Sequence, residues 1–210
     1  DLTSWCVLNI SSPPVSFAPS LDTTKHPNWG TCNDYYVNAR GCIVCDSLNI
    51  GDQFVLNGDS MIAVDRPMLD SMITGGYDVT KACVSHVTDM GGLFLQHSLF
   101  NQDIRNWDVS NVVNMGVMFR EAQSFNQDIG NWDVGNVTSF NQMFLLDTAF
   151  NQDISGWDMS SATSLSEMFY GASSFNINIG GWDVGNVVNM GAMFREAQSF
   201  NQDIGNWDVG

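Results

Sequence analysis

The chain has 210 residues, of which 44% are hydrophobic, so it is long enough to bury a core and its composition excludes wholesale disorder. Seven Lys and Arg residues stand against 23 Asp and Glu residues, a net charge of −16. That balance argues against nucleic acid or an anionic membrane surface as a partner, because both need clustered cations. No apolar run approaches the ~18–20 residues that span a bilayer, so we expect no direct membrane insertion.

The five cysteines all lie within the first 83 residues, and two of them form a Cys-x-x-Cys motif, Cys42 to Cys45. A zinc site would need a second pair of ligands nearby, and His26 and His86 do not have that spacing. A redox motif would need a thioredoxin-like context, whereas this neighbourhood is typical of a turn followed by strands. We therefore expect disulfides formed in an oxidising compartment.

Residues 1–32 are predicted to be the end of a preceding repeat array with a disulfide-bonded cap. Residues 1–7 align with residues 103–109 of the repeat described below, and four prolines then break the pattern. A Cys6–Cys32 bridge would close a loop of about 27 residues and contribute roughly 3 kcal/mol in the chain-entropy model. The chain also ends inside a repeat phrase, so we expect a window of a longer array that contacts its own continuation.

Residues 33–82 are predicted to form a small inter-array capping module with a β-hairpin and a short helix. Two apolar runs flank Asn57-Gly58, the signal of a tight hairpin turn. The helix is expected over Arg66–Thr74, with Pro67 in its first turn and Gly75–Gly76 at its end. Such a cap is needed because a bare array end exposes its core.

A second disulfide is expected to tie this module to the array. Cys45–Cys83 is the preferred pairing, since Cys83 opens the first repeat phrase. Cys42–Cys83 is the rival pairing, and Cys42 is left over if the preferred one forms.

Residues 83–210 contain a 25-residue repeat that decides the fold. Every copy carries a Phe and a Trp in fixed register, at Phe100, Phe125, Phe150, Phe175 and Phe200 and at Trp107, Trp132, Trp157, Trp182 and Trp207. Residues 111–135 and 186–210 differ only at Val117 against Ala192. A unit of this length must bury its apolar face on its neighbours, so the sequence predicts an α/β repeat solenoid of 25-residue coils.

Within one coil, the apolar spacing predicts helical turns over residues 117–122 and short strands over Val112–Met115 and Asn126–Ile129. Stacking at strand spacing would place equivalent residues ~4.8 Å apart. The Phe and Trp columns are then expected to fill the core, the alternative being an aromatic sugar-binding strip that side-chain exposure would reveal. A column of Asn in every copy suggests a buried amide ladder, formed by Asn101, Asn126, Asn151, Asn176 and Asn201.

Two Asp columns also follow the repeat. The first comprises Asp103, Asp128, Asp153 and Asp203, with Asn178 in the fourth copy; the second comprises Asp108, Asp133, Asp158, Asp183 and Asp208. Carboxylates ~4.8 Å apart repel by roughly 0.9 kcal/mol even at the dielectric constant of water, so something must offset the repulsion. One explanation is capping of nearby backbone N–H groups in Asx turns. The other is calcium between coils, with the first column as its ligands.

The phrase FNQDIGNWDVGNVTSFNQMF, residues 125–144, resembles the bacterial surface protein 26-residue repeat family, and residues 83–210 carry this resemblance throughout. Residues 1–6 with 27–32 resemble the segment that ends such arrays in Bacteroidetes-like surface proteins, and residues 51–65 followed by 83–90 resemble the module that starts the next array. The resemblance implies a leucine-rich-repeat-like right-handed solenoid with short parallel strands and short helical turns, an extracellular location at the cell surface, and an adhesion or scaffold role. It carries no catalytic residues.

A source of that bacterial type would add O-glycosylation at Asp followed by Ser or Thr and then an apolar residue or Thr. Five positions fit this motif: Thr23, Ser47, Ser60, Ser71 and Thr148.

No enzyme activity is expected, because no nucleophile elbow, P-loop, His-Glu-x-x-His or dinucleotide fingerprint occurs in the sequence. The leading hypothesis is an extracellular repeat segment of a bacterial cell-surface adhesin or surface filament. It would serve as a rigid spacer and would bind surface proteins or glycans of host or neighbouring cells through many weak contacts. The alternatives are a ligand-free structural stalk and a calcium-dependent glycan-binding module.

Overall fold

The structure is a computed structural model and describes residues 35–209, together with the backbone of two short strands before them. These strands, β1 (Cys6–Val7) and β2 (Asn28–Trp29), pair in parallel. The predicted Cys6–Cys32 bridge and the candidate glycosylation residue Thr23 lie outside the described residues.

Residues 35–83, which include the described part of the predicted capping module, contain two small sheets. Strands β3 (Tyr36–Val37) and β4 (Ile43–Val44) pair antiparallel. Strands β5 (Gln53–Leu56) and β6 (Asp59–Ala63) form the predicted hairpin, and β7 (Ala82–Cys83) adds to β6 in parallel. The hairpin is confirmed down to its turn, because Asn57 and Gly58 both have positive φ, at 53° and 91°, as a two-residue turn of this hand requires.

The predicted helix is confirmed as α1 (Arg66–Thr74). The Asp65 side chain caps it by accepting a hydrogen bond from the Met68 N–H at 3.0 Å. Leu69 is fully buried and packs into the same core as the repeats. A 3-10 turn (Val79–Lys81) leads from α1 into β7. Among the described residues no helix has the length and apolar character needed to cross a bilayer.

The repeats form five coils, called coil I (86–110), coil II (111–135), coil III (136–160), coil IV (161–185) and coil V (186–209). Each coil lies beside the next, and parallel bridges connect equivalent positions across the series Asp89, Asn114, Ser139, Ser164 and Asn189. Each bridge spans one repeat of 25 residues. The repeat in the sequence is therefore the repeat in the structure.

Most of the backbone hydrogen bonds between coils run in one direction. From coil II to coil III, the N–H groups of Met115, Val117, Phe119 and Glu121 donate to the carbonyls of Ser139, Asn141, Met143 and Leu145 at 2.7–3.0 Å. The same four bonds recur at the other three junctions. Val113 and its equivalents provide the bond in the opposite direction, since the Thr138 N–H donates to the Val113 carbonyl at 3.0 Å.

This ladder replaces the helical turns that the apolar spacing predicts over residues 117–122. In that segment alternate N–H groups donate to the next coil, so they cannot donate four residues back along the chain as an α-helix needs. The others close tight turns, as the Arg120 N–H does on the Val117 carbonyl. The prediction of a helix is wrong here. The strands predicted within each coil are reduced to a single bridge residue such as Asn114, and Asn126–Ile129 forms no strand.

Each coil has two backbone positions in the left-handed region, four residues apart. The first comprises Gly92, Val117, Gln142, Glu167 and Ala192; the second comprises Gln96, Glu121, Leu146, Gly171 and Glu196. Val117, at φ 63°, is the most unusual, because a β-branched side chain rarely adopts this conformation. The fold imposes these angles on whatever residue the copy supplies.

Two columns of stacked Phe rings fill the core. Phe125 stacks on Phe150 and Phe119 on Phe144, with ring centroids 6.1 and 5.6 Å apart, and the two columns meet within each coil, as Phe119 meets Phe125 at 3.9 Å. Ring spacing between neighbouring coils exceeds the ~4.8 Å of an ideal strand pair throughout. The Phe side chains of both columns are nevertheless fully buried in coils II to IV, so water is excluded from the interior of these coils.

The capping module is joined to the array covalently and by hydrogen bonds. Cys45 and Cys83, the preferred pair, form a disulfide with Cα atoms 6.3 Å apart. The Ile43 N–H donates to the Asn106 carbonyl at 2.8 Å, and Ile43 bridges in parallel to Trp107. The module therefore continues the parallel packing of the coils.

Candidate functional site

The Trp column is buried in the array. Trp107, Trp132, Trp157 and Trp182 are at most 4% exposed, and Trp207 in the last coil is half-buried. Each indole N–H donates to a carbonyl 28 residues earlier, as Trp132 does to Ile104 at 3.3 Å. The interpretation as core ladders is confirmed, and the aromatic sugar-binding strip is excluded because the rings are not accessible.

The Asn column forms a ladder of side chains on the surface. The Oδ1 of Asn101 accepts the N–H of Asn126 at 3.0 Å, and the pattern continues through Asn151, Asn176 and Asn201. Gln127 adds a second donor to the same Asn101 oxygen at 2.9 Å. The predicted bonds to backbone and neighbours are present, but the ladder is exposed to half-buried, so its predicted burial is wrong.

The first Asp column caps the backbone of its own coil. Asp128 Oδ1 accepts the Gly130 N–H at 3.1 Å, and Asp153 and Asp203 do the same two residues along. Hydrogen bonds from Ser155 lower the pKa of Asp153. Asn178 makes the equivalent bond to Gly180 at 3.0 Å, so the bond needs an oxygen acceptor but no charge.

The second Asp column behaves alike, as the capping explanation anticipates. Asp133 Oδ1 accepts the Gly135 N–H at 3.3 Å, and Asp158 Oδ1 accepts the Ser160 N–H at 3.0 Å. The pKa of Asp158 is lowered, first by a hydrogen bond from the Ser160 side chain and second by this bond from the Ser160 backbone. Asp108 is the buried member, and it also accepts the Ser85 hydroxyl at 2.9 Å. Hydrogen bonds of this kind stabilise the charged form of the carboxylates in the column.

The calcium candidates Asp103, Asp128, Asp153 and Asp203 are all exposed and lie in register along one side of the array. Within residues 35–209, no three or more His, Cys, Asp or Glu side chains are arranged to hold a metal ion. Asp103 instead forms an ion pair with Arg105, at 2.9 Å. The geometry therefore gives the column a capping role in each coil.

An open groove lies along this side of the array. It has a volume of about 610 Å³ and is lined by Arg105, Asp128, Gly130, Asn131, Asp153, Ser155 and Gly156. Together with the Asn ladder it forms a surface that we call the Asn–Asp face, comprising the Asn and first Asp columns and the groove. Its polar groups recur once per coil, so it offers the same contacts repeatedly along the array.

Cys42 is the free cysteine among the described residues, and it is buried. Burial, followed by the charge of Asp108, raises the pKa of its thiol to about 11. The thiol is thus protonated near neutral pH and is not a reactive nucleophile.

Four of the glycosylation candidates, Ser47, Ser60, Ser71 and Thr148, are exposed.

Asp147 is a buried carboxyl that the sequence analysis missed. It stands where the neighbouring coils have Ala122 and Ala172, and it is fully buried. Burial raises its pKa to about 8, which the backbone N–H groups of Ala149 and Phe150 offset only in part. Among the described residues neither carboxylate oxygen has a hydrogen bond of ordinary geometry. The sequence does carry a signal for this site, because Asp147 stands at a position where coils II, IV and V have Ala.

These features define a repeat protein in which each 25-residue unit is stabilised by its neighbours. The chain belongs to the family described as Mycoplasma protein of unknown function, DUF285, which matches residues 67–169 and 147–210. The match supports a bacterial repeat family and does not extend to the specific 26-residue Bacteroidetes repeat. No curated protein and no solved structure matched the chain.

Proposed function

We propose that residues 83–210 form a leucine-rich-repeat-like right-handed solenoid that serves as an extracellular segment of a bacterial surface adhesin or filament. It would hold its Asn–Asp face at a distance from the cell and bind surface proteins or glycans there. The observation that carries this proposal is the uniform junction between coils, with four backbone bonds and two aromatic columns at each. Such junctions favour a rigid spacer.

Recognition by many weak contacts is supported by the repetition of the Asn–Asp face. The same amide recurs in every coil and the same carboxylate in every coil but the fourth, which has Asn178, so a repetitive ligand would meet several copies at once. Linked contacts of this kind raise avidity without strong single sites. The disulfide Cys45–Cys83 is consistent with an oxidising, extracellular location.

A ligand-free stalk is the second candidate, and one observation favours it. The Asp side chains of the face already accept backbone N–H groups, and the Asn side chains bond to the next coil. A face whose polar groups are engaged within the chain has fewer groups available for a ligand. The two candidates therefore make opposite predictions about binding.

The test is binding of the 210-residue chain to a glycan array and to bacterial and host cells, with and without EDTA. The matched variant is the double substitution Asp128→Asn and Asp153→Asn. Asn178 shows that Asn keeps the capping bond, so this variant removes charge from the face while preserving the fold. Saturable binding that the variant weakens supports the adhesin, and loss of binding in EDTA would make the Asp column a calcium site. Absence of binding to every surface would refute the adhesin and leave the stalk.

A further inference from the structure

A cavity of about 380 Å³ lies where the end of α1 and the segment after it meet coil I, and we call it the junction cavity. Its walls include three residues from each side, which are Ile73, Tyr77 and Val79 on one and His97, Leu99 and Phe100 on the other. The volume falls in the range of small-molecule sites, about 300–1,000 Å³. The cavity is therefore large enough for one unit of a larger ligand.

Coil I departs from the repeat where it lines the junction cavity. Residues 97–99 are His-Ser-Leu, whereas coils II and V both have Ala-Gln-Ser at the equivalent positions, 122–124 and 197–199. Leu99 is 88% exposed, so it adds little to the core, and the Ser of the other coils would serve the fold equally well. The departure thus favours a role other than folding.

Tyr77 supplies an aromatic ring that is held in place and open to solvent. A side chain at Gly75 would place its Cβ 2.5 Å from a carbon of this ring, so the ring packs where glycine leaves room. Gln102 fixes the same segment, since its Oε1 accepts the Val79 N–H at 2.9 Å and its Nε2 donates to the Tyr77 carbonyl at 3.4 Å. Gln127 in coil II bonds to the Asn column instead. The Tyr77 residue nevertheless remains 64% exposed.

The polar atoms beside these walls are available to a ligand. The His97 Nδ1 lies 3.1 Å from the Leu95 carbonyl, and because a carbonyl only accepts, Nδ1 is the donor. In the neutral ring Nε2 is then an acceptor. Within residues 35–209, this nitrogen and the hydroxyls of Ser98 and Tyr77 make no hydrogen bond. The junction cavity differs in this respect from the Asn–Asp face, where the Asp and Asn side chains are engaged within the chain.

The charge of the protein decides between classes of ligand. No Asp, Glu, Lys or Arg lines the junction cavity, and the chain carries a net charge of −16. An anionic ligand would therefore be repelled without meeting a cation in the site. A neutral ligand with one apolar face and several hydroxyls matches the walls and the free polar atoms together, and a pyranose ring has this form.

We propose that the junction cavity binds one neutral pyranose unit of a glycan. The C–H face of the sugar packs on Tyr77 and Leu99, as amphipathic aromatic rings favour. Its hydroxyls donate to the His97 Nε2 and exchange hydrogen bonds with the Ser98 hydroxyl. This site occurs once, at coil I, and it does not depend on whether the Asn–Asp face binds a ligand.

The test is an NMR titration of the 210-residue chain with the methyl glycosides of glucose, galactose, mannose and N-acetylglucosamine. We expect at least one glycoside to shift the amide resonances of Tyr77, Ser98 and Leu99 in a saturable manner. Absence of such shifts with all four would overturn the proposal. N-acetyl-leucinamide is titrated in parallel, and shifts with this probe alone would assign the cavity to an apolar peptide side chain instead.

The matched variant combines His97→Ala with Leu99→Ser, which gives coil I the residues that coil II has at these positions. We expect its affinity for the glycoside to fall by at least about tenfold, since one hydrogen bond and one apolar contact are lost. Val188→Ser is the control, because Val188 is 87% exposed in coil V and does not line the cavity. Equal affinity of the double variant and the unchanged chain would overturn the proposal.

Gly75→Ala tests the position of the Tyr77 ring without removing any group that contacts the sugar. The φ of Gly75 is −77°, which Ala adopts readily, so the chain should stay folded while the new methyl group displaces the ring. We expect weaker binding of the glycoside, and unchanged affinity would overturn the role of Tyr77. Asp128→Asn with Asp153→Asn should leave this titration unaltered, which separates a failure of the junction cavity from a failure of the Asn–Asp face.

Discussion

Asp147 makes the stability of the array depend on pH in a defined window. The carboxyl is fully buried, and its pKa of about 8 lies above the ordinary value of 3.8 that it has in the unfolded chain. Because folding raises the pKa of this carboxyl, its contribution to the free energy of unfolding is fully present below about pH 4, where the carboxyl is protonated in both the folded and the unfolded state. That contribution is lost as the pH rises through the pKa of the folded state.

The size of the effect follows from the proton linkage. Between the two pKa values the free energy of unfolding falls by at most ~1.4 kcal/mol per pH unit. Over the whole window this limit sums to about 6 kcal/mol, and because the surroundings of a buried charge relax once it forms, we expect a loss of about 2–4 kcal/mol from this residue alone. Asp147→Ala matches Ala122 and Ala172, and Asp147→Asn keeps the size and the acceptor oxygen without the charge.

The assay is urea unfolding followed by Trp fluorescence, at a series of pH values from about 4 to about 8. Both variants should be more stable than the unchanged chain at the upper end of the range, and their advantage should shrink as the pH falls. The difference between variant and unchanged chain removes the contribution of the other carboxylates. Parallel curves for the unchanged chain and Asp147→Asn would refute the reasoning, because the carboxyl would then titrate alike in both states.

Three further predictions concern the coils and the cap. Val117→Gly should raise the free energy of unfolding by about 0.5–1 kcal/mol, since Gly adopts positive φ without strain. Met118→Gly in the same turn should lower the free energy of unfolding. Equal losses of stability for the two variants in thermal melts would contradict this prediction. Asn126→Ala should cost about 0.5–1.5 kcal/mol in urea unfolding, because the exposed Asn151 N–H exchanges its acceptor for water; an unchanged midpoint would show that the ladder does not stabilise the fold. Reduction of Cys45–Cys83 should lower the melting temperature by an amount equivalent to roughly 3–4 kcal/mol, and Cys42 should label with a thiol reagent only after unfolding; rapid labelling of the oxidised native chain would contradict its burial.

The parts of the fold that sequence predicts well are those with local signals. Helix α1 has the boundaries expected from Pro67 and Gly75, and the hairpin turns at Asn57-Gly58. The register of the coils follows from the 25-residue spacing of Phe and Trp. This spacing sets which residues of neighbouring coils lie side by side, and the register is the same at every junction. Asx turns at Asp128 and its equivalents were also predictable, because a short acid before Gly can accept the N–H two residues on.

The parts that sequence misses depend on bonds between coils. The apolar spacing over residues 117–122 is that of a helix, yet alternate N–H groups donate to the next coil. Arg66 finds its acceptors at Asp89 and Gly91, more than twenty residues away, and no local pattern announces such a contact. An amide in every copy predicts a buried Asn ladder, whereas the bonds of this ladder form at the surface.

The near-identity of coils II and V has a genetic consequence. Every junction between coils uses the same four backbone bonds and stacks the same Phe column, so coils II and V, which differ at a single residue, can replace one another. Recombination between such copies would insert or remove blocks of 25 residues and restore an ordinary junction each time. The length of the array would then change in steps of one coil, about the 5.4–6.2 Å that separates stacked rings.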